Sequence, residues 1–577
     1  MAVVTPSATV RPVDGGLSTV DSPTRRLGLA GLSVAGAANA TLHTADPQAA
    51  IAAFGGGELV EAALHVLRNS TTRPVALDLV RIAPSEDGRA LAVSAARAGS
   101  PPSAGTLVTT GSAPVDAYEV RIVSTAAVAD AASGDGEFQL SLDGGDSYSN
   151  RIAIPPGGVY VVPGAGITLT FAGALDEGDA FAFDCVGPGY SAENLGAALD
   201  ALDADGYDYR KLYVLGTGAT AAGSAALAAT VLAHANARSA AKHFMRSVVQ
   251  AKHGLVNGTV TLGGDPVATE PIAVSGTPAD PAMRFVVEIT ATGDRGAGVF
   301  RWSSDNGATW TETVTITAST GVNVLGTSGV TVTFGESSYT DGNEYTWAPR
   351  VETDAEVKAA FDSVEGWRLA VAAGEVELES SLNKGRKYRR GLIYSALLKD
   401  AENPLHHDMG RVRDGVLKGV SRLYRDERLT PGLDEAKFIT ATTQEGKPGK
   451  FYITQGNTRA PDGSDFDLTQ LVDILNEGCR ITQVYLNELP GDHLRTKPDG
   501  TLADEDAELI DSQLQVLLDA GIGAEATGAT QMIEAKVRRD LPFASTRKVS
   551  VRVRMVPLFY VKQAEGEVGF AMTLTSA

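Results

Sequence analysis

The sequence predicts a multidomain α/β (α+β) chain: a discontinuous α/β core, two homologous all-β domains inserted into it, and extended terminal arms. Three observations lead there. The chain has 577 residues, which at about 100–200 residues per domain means several domains. A strand–helix–strand pattern near the start recurs in pieces farther along. Between the pieces lies a duplication, the same residue types in the same order twice.

Residues 1–26 carry Pro6, Pro12 and Pro23 without a helical period and read as an N-terminal arm. The first part of the core is expected over 27–104. Leu27–Gly36 reads as a buried strand with glycines, and Asp46–Phe54 as a short helix. Leu59–Leu67 reads as a helix with Leu59, Ala62, Ala63, Val66 and Leu67 on one face, and Pro74–Ile82 as a strand. A Gly/Ser/Pro/Ala-rich stretch over 97–117 marks a boundary, and the first β-domain is placed at 105–190. The core resumes over 191–254 with a helix Ala192–Leu202, a strand Lys211–Leu215, an Ala-rich helix Ala221–Lys242 and a strand Phe244–Val249. The second β-domain is placed at 255–352. The third part of the core, 353–540, opens with a helix Asp354–Val364 and a strand Trp367–Ala372. Farther on, Val412–Tyr424 reads as a helix, Phe451–Thr454 as a strand, and Leu468–Cys479 and Ala503–Leu518 as helices. Residues 541–577 close the chain with two strands, Val549–Val556 and Gly566–Leu574, and an arm.

The duplication is carried by several spaced matches. Phe138, Asp143, Gly145 and Tyr148 answer Phe300, Asp305, Gly307 and Trp310. Gly166–Phe171 (GITLTF) answers Gly329–Phe334 (GVTVTF), and Gly178–Phe183 answers Gly342–Trp347. Phe-x-x-Ser-x-Asp-x-Gly is a strand running into a turn in which Asp caps and Gly takes positive φ. Each copy therefore reads as a small all-β sandwich or barrel-like unit, inserted at the surface.

Composition narrows the function classes. Lys+Arg 49 against Asp+Glu 70 leaves a formal charge of −21, which repels phosphate backbones and argues against nucleic-acid binding. Cys185 and Cys479 lie far apart, with neither disulfide-framework nor zinc spacing. The N-terminus lacks the pattern of a signal peptide, and no apolar run is long enough for a membrane span. Gly216-Thr-Gly-Ala-Thr-Ala221 sits where a phosphate cradle would, but the strand after its helix ends in Gln250-Ala-Lys-His253 with no ribose-binding carboxylate. His406-His407-Asp408 lacks a third ligand at a useful spacing and reads as a solvated loop. Trp302, Trp310 and Trp347 could form a sugar platform if exposed, yet they match Leu140, Tyr148 and Phe183 of the first copy and so read as core. No catalytic, cofactor or metal site is expected, and the chain is not expected to be an enzyme.

Three regions together resemble contractile phage tail sheath proteins. The first runs from Leu29-Ala-Gly31 and Val34-Ala-Gly36 through Ala49 to Phe54-Gly-Gly, Glu58–Leu67 and Pro74–Ile82. The second is Phe451-Tyr-Ile-Thr with the helix after Ser464. The third is the close, from Leu541-Pro through Val549–Val561 to Gly566–Leu574. The resemblance covers about half of the chain and leaves out both β-units. It implies a helical homopolymer of six-membered rings around an inner tail tube protein, with baseplate and tail terminator proteins at its ends. It also implies a virion-tail location after synthesis in the host cytoplasm, and no nucleic-acid or membrane-inserted partner. Contraction would drive the tube through the target envelope. The sheath of a phage-derived bacterial injection particle fits equally. The competing class is a glycan-binding surface protein with tandem β-modules.

The C-terminal strand supplies the candidate contact. Residues 543–564 hold Arg547, Lys548, Arg552, Arg554 and Lys562, with no Asp or Glu among them. Val549, Val551, Val553 and Met555 alternate with Ser550, Arg552 and Arg554, so one face is apolar and the other basic. Inter-subunit contact is therefore expected at Arg547, Val549, Val551, Arg552, Val553, Arg554 and Met555, with Asp504-Glu-Asp506 and Glu508 of a neighbour as an acidic counterpart.

Overall fold

The computed structural model describes residues 26–70, 75–97, 105–490, 492–525 and 527–558. The expected N-terminal arm, Arg26 apart, and the expected last strand Gly566–Leu574 lie outside the described residues. The chain divides into two compact units, residues 1–469 and 470–577.

The first unit is built on a six-stranded sheet. Its order is Thr41–Thr44, Ala76–Arg81, Arg26–Gly31, Lys211–Val214, Arg246–Ala251 and Leu369–Ala373. All neighbours pair in parallel except the first two. Four of the strands are buried almost end to end, as a sheet covered on both faces requires. Helices Glu58–Asn69 and Ile393–Glu402 cover one face. Helices Ala192–Ala204, Ala221–Ala240 and Asp354–Phe361 cover the other. Gly28 is glycine for a steric reason: a Cβ there would lie 2.9 Å from the Tyr209 ring.

The chain leaves this sheet twice. After Ala76–Arg81 it builds a first sandwich and returns at Lys211–Val214; after Arg246–Ala251 it builds a second and returns at Leu369–Ala373. In the first sandwich the sheet Val159–Val162, Ile167–Ala172, Thr106–Val108 shares one core with a larger sheet centred on Asp179–Val186, Glu119–Ser124 and Glu137–Ser141. In the second, Val322–Val324, Val330–Phe334 and Ile272–Gly276 stand against Asn343–Trp347, Phe285–Ala291 and Val299–Ser303. The two cores share a ring pair: Phe138 on Phe171 at 4.9 Å and Phe300 on Phe334 at 5.1 Å.

The repeated turn is built the same way in both copies. Ser141 donates to Asp143 at 2.6 Å, and Ser147 donates to it through both backbone N–H and hydroxyl. Ser303 donates to Asp305 at 2.6 Å, and Thr309 supplies the same two bonds. Gly145 and Gly307 hold φ of 106° and 83° in these turns, where a side chain would be strained. Trp347 is buried and stacked on Phe285, whereas Trp302 and Trp310 are half-buried, with Arg301 over Trp310.

Several expectations need correction. Val412–Tyr424 is no helix: one 3-10 turn, Val412–Asp414, gives way to a strand, Val420–Leu423, paired with Glu375–Glu379. Gly415 and Gly419, at φ 93° and 74°, stop the helix. Strands Arg89–Ala90 and Ser94–Arg97 pair with Asp179–Val186, so the first sandwich's sheet takes in residues upstream of 105. His406-His407-Asp408 is not a solvated loop: Asp408 is buried and accepts from the amides of Gly410 and Gly456. The C-terminal strand runs Val551–Pro557, so Arg547 and Val549 precede it, and Arg547 at φ 50° ends the short helix Phe543–Thr546.

The second unit packs helix Asp504–Ile522 on a two-stranded sheet, Thr530–Val537 with Val551–Pro557. Helix Thr469–Glu488, which starts one residue before the unit, lends it Gly478, where a Cβ would stand 2.8 Å from the Met555 sulfur. The helix side chain is absent where the strand's methionine needs room.

Candidate assembly surface

The pairing of the last two strands fixes which edge is open. Arg538 N–H donates to Ser550 O at 2.7 Å, so the pairs Lys536–Arg552 and Glu534–Arg554 are hydrogen-bonded. The backbone groups of Ile533, Ala535 and Val537 point the other way, and helix side chains meet them. Gln515 Nε2 donates to Ile533 O, Ala535 N–H donates to Gln515 Oε1, and Val537 N–H donates to Asp511 Oδ1. That edge is sealed. On the other strand the outward groups belong to Val551, Val553 and Met555. Among the described residues this strand pairs with no strand but Thr530–Val537. It is a short edge of unpaired donors and acceptors, which is a template for another strand.

The side chains alternate as the pattern requires. Val551, Val553 and Met555 are half-buried, while Arg552 and Arg554 are exposed. Arg552 stands opposite Lys536, and Arg554 opposite Glu534 at 3.9 Å. The acidic helix start is already engaged within the chain: Arg495 pairs with Glu505 and Asp506, Lys497 with Asp504, and Arg539 with Asp504, Glu508 and Asp511. The sequence reading missed Thr530–Val537, Asp511 and Gln515. The alternation of Ile533, Ala535 and Val537 with Glu534 and Lys536 carried that strand's signal. On the outer side of the helix, Leu509, Val516 and Leu517 are exposed, a strip at helical spacing.

The phosphate-cradle look-alike is filled by the chain itself. The Glu352 carboxylate accepts from the amides of Ala221 at 2.7 Å and Gly254 at 2.8 Å. An anionic side chain thus sits at the start of helix Ala221–Ala240, where a phosphate would bind. Among the described residues no group of His, Cys, Asp or Glu could hold a metal ion, and no helix is long and apolar enough to cross a membrane.

Two buried charge clusters stiffen the first unit. Asp400 accepts from Lys211 at 2.7 Å, Arg246 at 2.6 Å and Tyr213 at 2.6 Å, tying helix Ile393–Glu402 to two sheet strands. Burial alone would raise its pKa, but the Arg246 and Lys211 charges outweigh it and hold the carboxyl well below the usual range. Arg390 makes a two-pronged bond to Asp116 at 2.7 and 2.6 Å, tying the first sandwich to the core. Glu58 lies nearby; burial, and then the Asp116 charge, push it up to about 7. A carboxyl raised from 4.5 to about 7 stabilises the fold below pH 4.5, and that contribution is lost as pH rises to 7. Relative to Glu58→Gln, the wild type is therefore expected to lose roughly 3 kcal/mol between pH 4.5 and 7, read as a falling difference in hydrogen-exchange protection of helix Glu58–Asn69. A pH-independent difference contradicts the assignment.

No protein-family model matches the chain, and no curated protein matches it. Among solved structures, it is similar to the sheath tail protein of Desulfitobacterium hafniense, at 10% identity over 96% of this chain and 100% of that one, with a TM-score of 0.39. It is similar to the sheath tail protein of Listeria innocua, at 9% identity over 94% and 97%, TM-score 0.39. It is also similar to the helical sheath of the anti-feeding prophage in its contracted state, at 8% identity over 99% and 100%, TM-score 0.43.

Proposed function

We propose that this chain is the repeating subunit of a contractile sheath, a structural rather than catalytic protein. It polymerises as a helical tube of six-membered rings around an inner tube and works in a phage tail or a phage-derived injection particle. The observation that carries the reading is the last described strand: one edge of its hairpin is sealed by Asp511 and Gln515, and the other pairs with no strand among the described residues. A neighbour's arm adding there by β-augmentation keeps subunits linked while rigid bodies reorient. Contraction is then a passage from a metastable to a more stable packing and needs no nucleotide. The tube protein, baseplate and terminator are the partners this role requires.

The test is Arg552→Glu with Arg554→Glu. Within the chain the two changes offset, since Arg552 faces Lys536 and Arg554 faces Glu534. Folding should change by less than about 1 kcal/mol, while assembly at low salt should fail and recover partly at high salt. Normal tubes at low salt contradict the basic face as a contact.

The two sandwiches are expected to differ when removed. The second leaves the core on a two-stranded neck, Leu255–Asn257 with Pro349–Val351, where Gly258 N–H meets Ala348 O at 2.9 Å, and Asp280 ties it further by accepting from Ala92 N–H at 2.8 Å. Deleting 259–347 and closing the neck with a short turn should leave a folded subunit that still polymerises. Deleting 110–185 removes Asp116 and strands the buried Arg390, so that variant should fold poorly. Thermal melts and electron microscopy of both variants decide this.

A further inference from the structure

In each sandwich the strands of one sheet carry charge and those of the other do not. The strands of the smaller sheets are Thr106–Val108, Val159–Val162, Ile167–Ala172, Ile272–Gly276, Val322–Val324 and Val330–Phe334. None of the six holds an Asp, Glu, Lys or Arg, in a chain where 21% of residues are charged. The larger sheets carry Arg121, Glu137 and Asp184 in one copy and Glu288, Arg301 and Glu344 in the other.

The uncharged faces match in the Val–Thr pairs of two of their three strands. Val159 pairs with Thr170 and Val161 with Thr168; Val322 pairs with Thr333 and Val324 with Thr331. The valines stand on edge strands and point out: Val159 is 46% and Val161 62% exposed, Val322 41% and Val324 68%. A β-branched, uncharged face on an edge strand is an aggregation hazard that proteins ordinarily break with charge. Here neither copy does so.

We infer that these faces are contacts between copies of this chain, the first-sandwich face of one subunit resting on the second-sandwich face of the next. The inference rests on the polymer reading above. Copies carrying −21 each repel wherever carboxylates meet, so a face free of charge is where close approach costs least. Two matching faces per chain allow a head-to-tail contact that repeats along a polymer and leaves none uncovered. Three strands about 4.8 Å apart, with about four residues of 3.3 Å each, give a face on the order of 150–200 Å². That is far below the roughly 800 Å² per partner of a stable pair. The contact therefore operates only between subunits that the terminal strands already hold together, and it tightens a lattice rather than starting one. Removal of the second sandwich leaves polymerisation possible but the polymer weaker.

The test uses two double variants of the full chain, Val161→Lys with Val324→Lys, and Val161→Lys with Val324→Glu. Both melt like wild type below the polymerisation threshold if folding is intact. Lys on both faces should raise the critical concentration for tubes about tenfold, and Lys facing Glu should restore it. Equal thresholds in all three proteins mean the faces stay uncovered and overturn the inference, leaving the sheath reading in place. Equal loss in both double variants means each face meets its own kind, which overturns the head-to-tail pairing. A wild type that forms no polymer at any concentration overturns the sheath reading itself and removes the premise of this one.

Discussion

Asp400→Ala is expected to unfold the parallel-sheet body or leave it barely stable. The carboxylate is buried between Lys211, Arg246 and the Tyr213 hydroxyl, which are buried themselves. Its loss leaves two cations facing each other in a low-dielectric interior. Removing one partner of a buried pair costs about 3–5 kcal/mol, a large share of the stability of any domain. Asp400→Asn keeps the shape and one of the two acceptor oxygens, so it should cost less but remain clearly destabilising. Hydrogen exchange at the amides of helix Ile393–Glu402 reads the effect locally, where a single unfolding midpoint would mix two units. Wild-type protection in the alanine variant contradicts the role given to this cluster.

Val553→Pro is expected to weaken assembly at least about tenfold without unfolding the subunit. Val553 lies in a non-hydrogen-bonded pair with Ala535, so its N–H points to the open edge. Proline removes that donor and sets its ring where an added strand would lie. The bonds to Thr530–Val537 survive. Arg552→Pro is the contrast, because the Arg552 N–H faces Lys536 and its loss breaks the hairpin. The first variant should sediment as a folded monomer, with a critical concentration raised at least about tenfold, equivalent to roughly 1.4 kcal/mol. The second should lose the hairpin's exchange protection. Tubes from Val553→Pro at the wild-type threshold would mean that this edge is not the site of strand addition.

Much of the architecture was legible because its signals are local. The Leu59–Val66 stripe, the strand runs either side of it and the Ser-x-Asp-x-Gly turns each fit within about a dozen residues. The duplication was legible because Phe138/Phe300, Asp143/Asp305 and Gly145/Gly307 serve the same turn and core in both copies. The misread segment, Val412–Tyr424, has apolar residues at helical spacing, and two glycines at positive φ override it. The edge arrangement at the C-terminal hairpin was out of reach. The strand's alternation showed which side chains share a face, but only the register with Thr530–Val537 and the reach of Gln515 and Asp511 decide which backbone edge is free. The same holds for Glu352: nothing near it in sequence marks it as the anion that fills the helix start 131 residues earlier.

The measurement closest to the central claim is electron microscopy of the full-length protein across a concentration series. The account predicts hollow tubes of stacked six-membered rings above a threshold concentration, with no nucleotide or metal added. A folded monomer at every concentration, its last strand protected by its own chain, would contradict it.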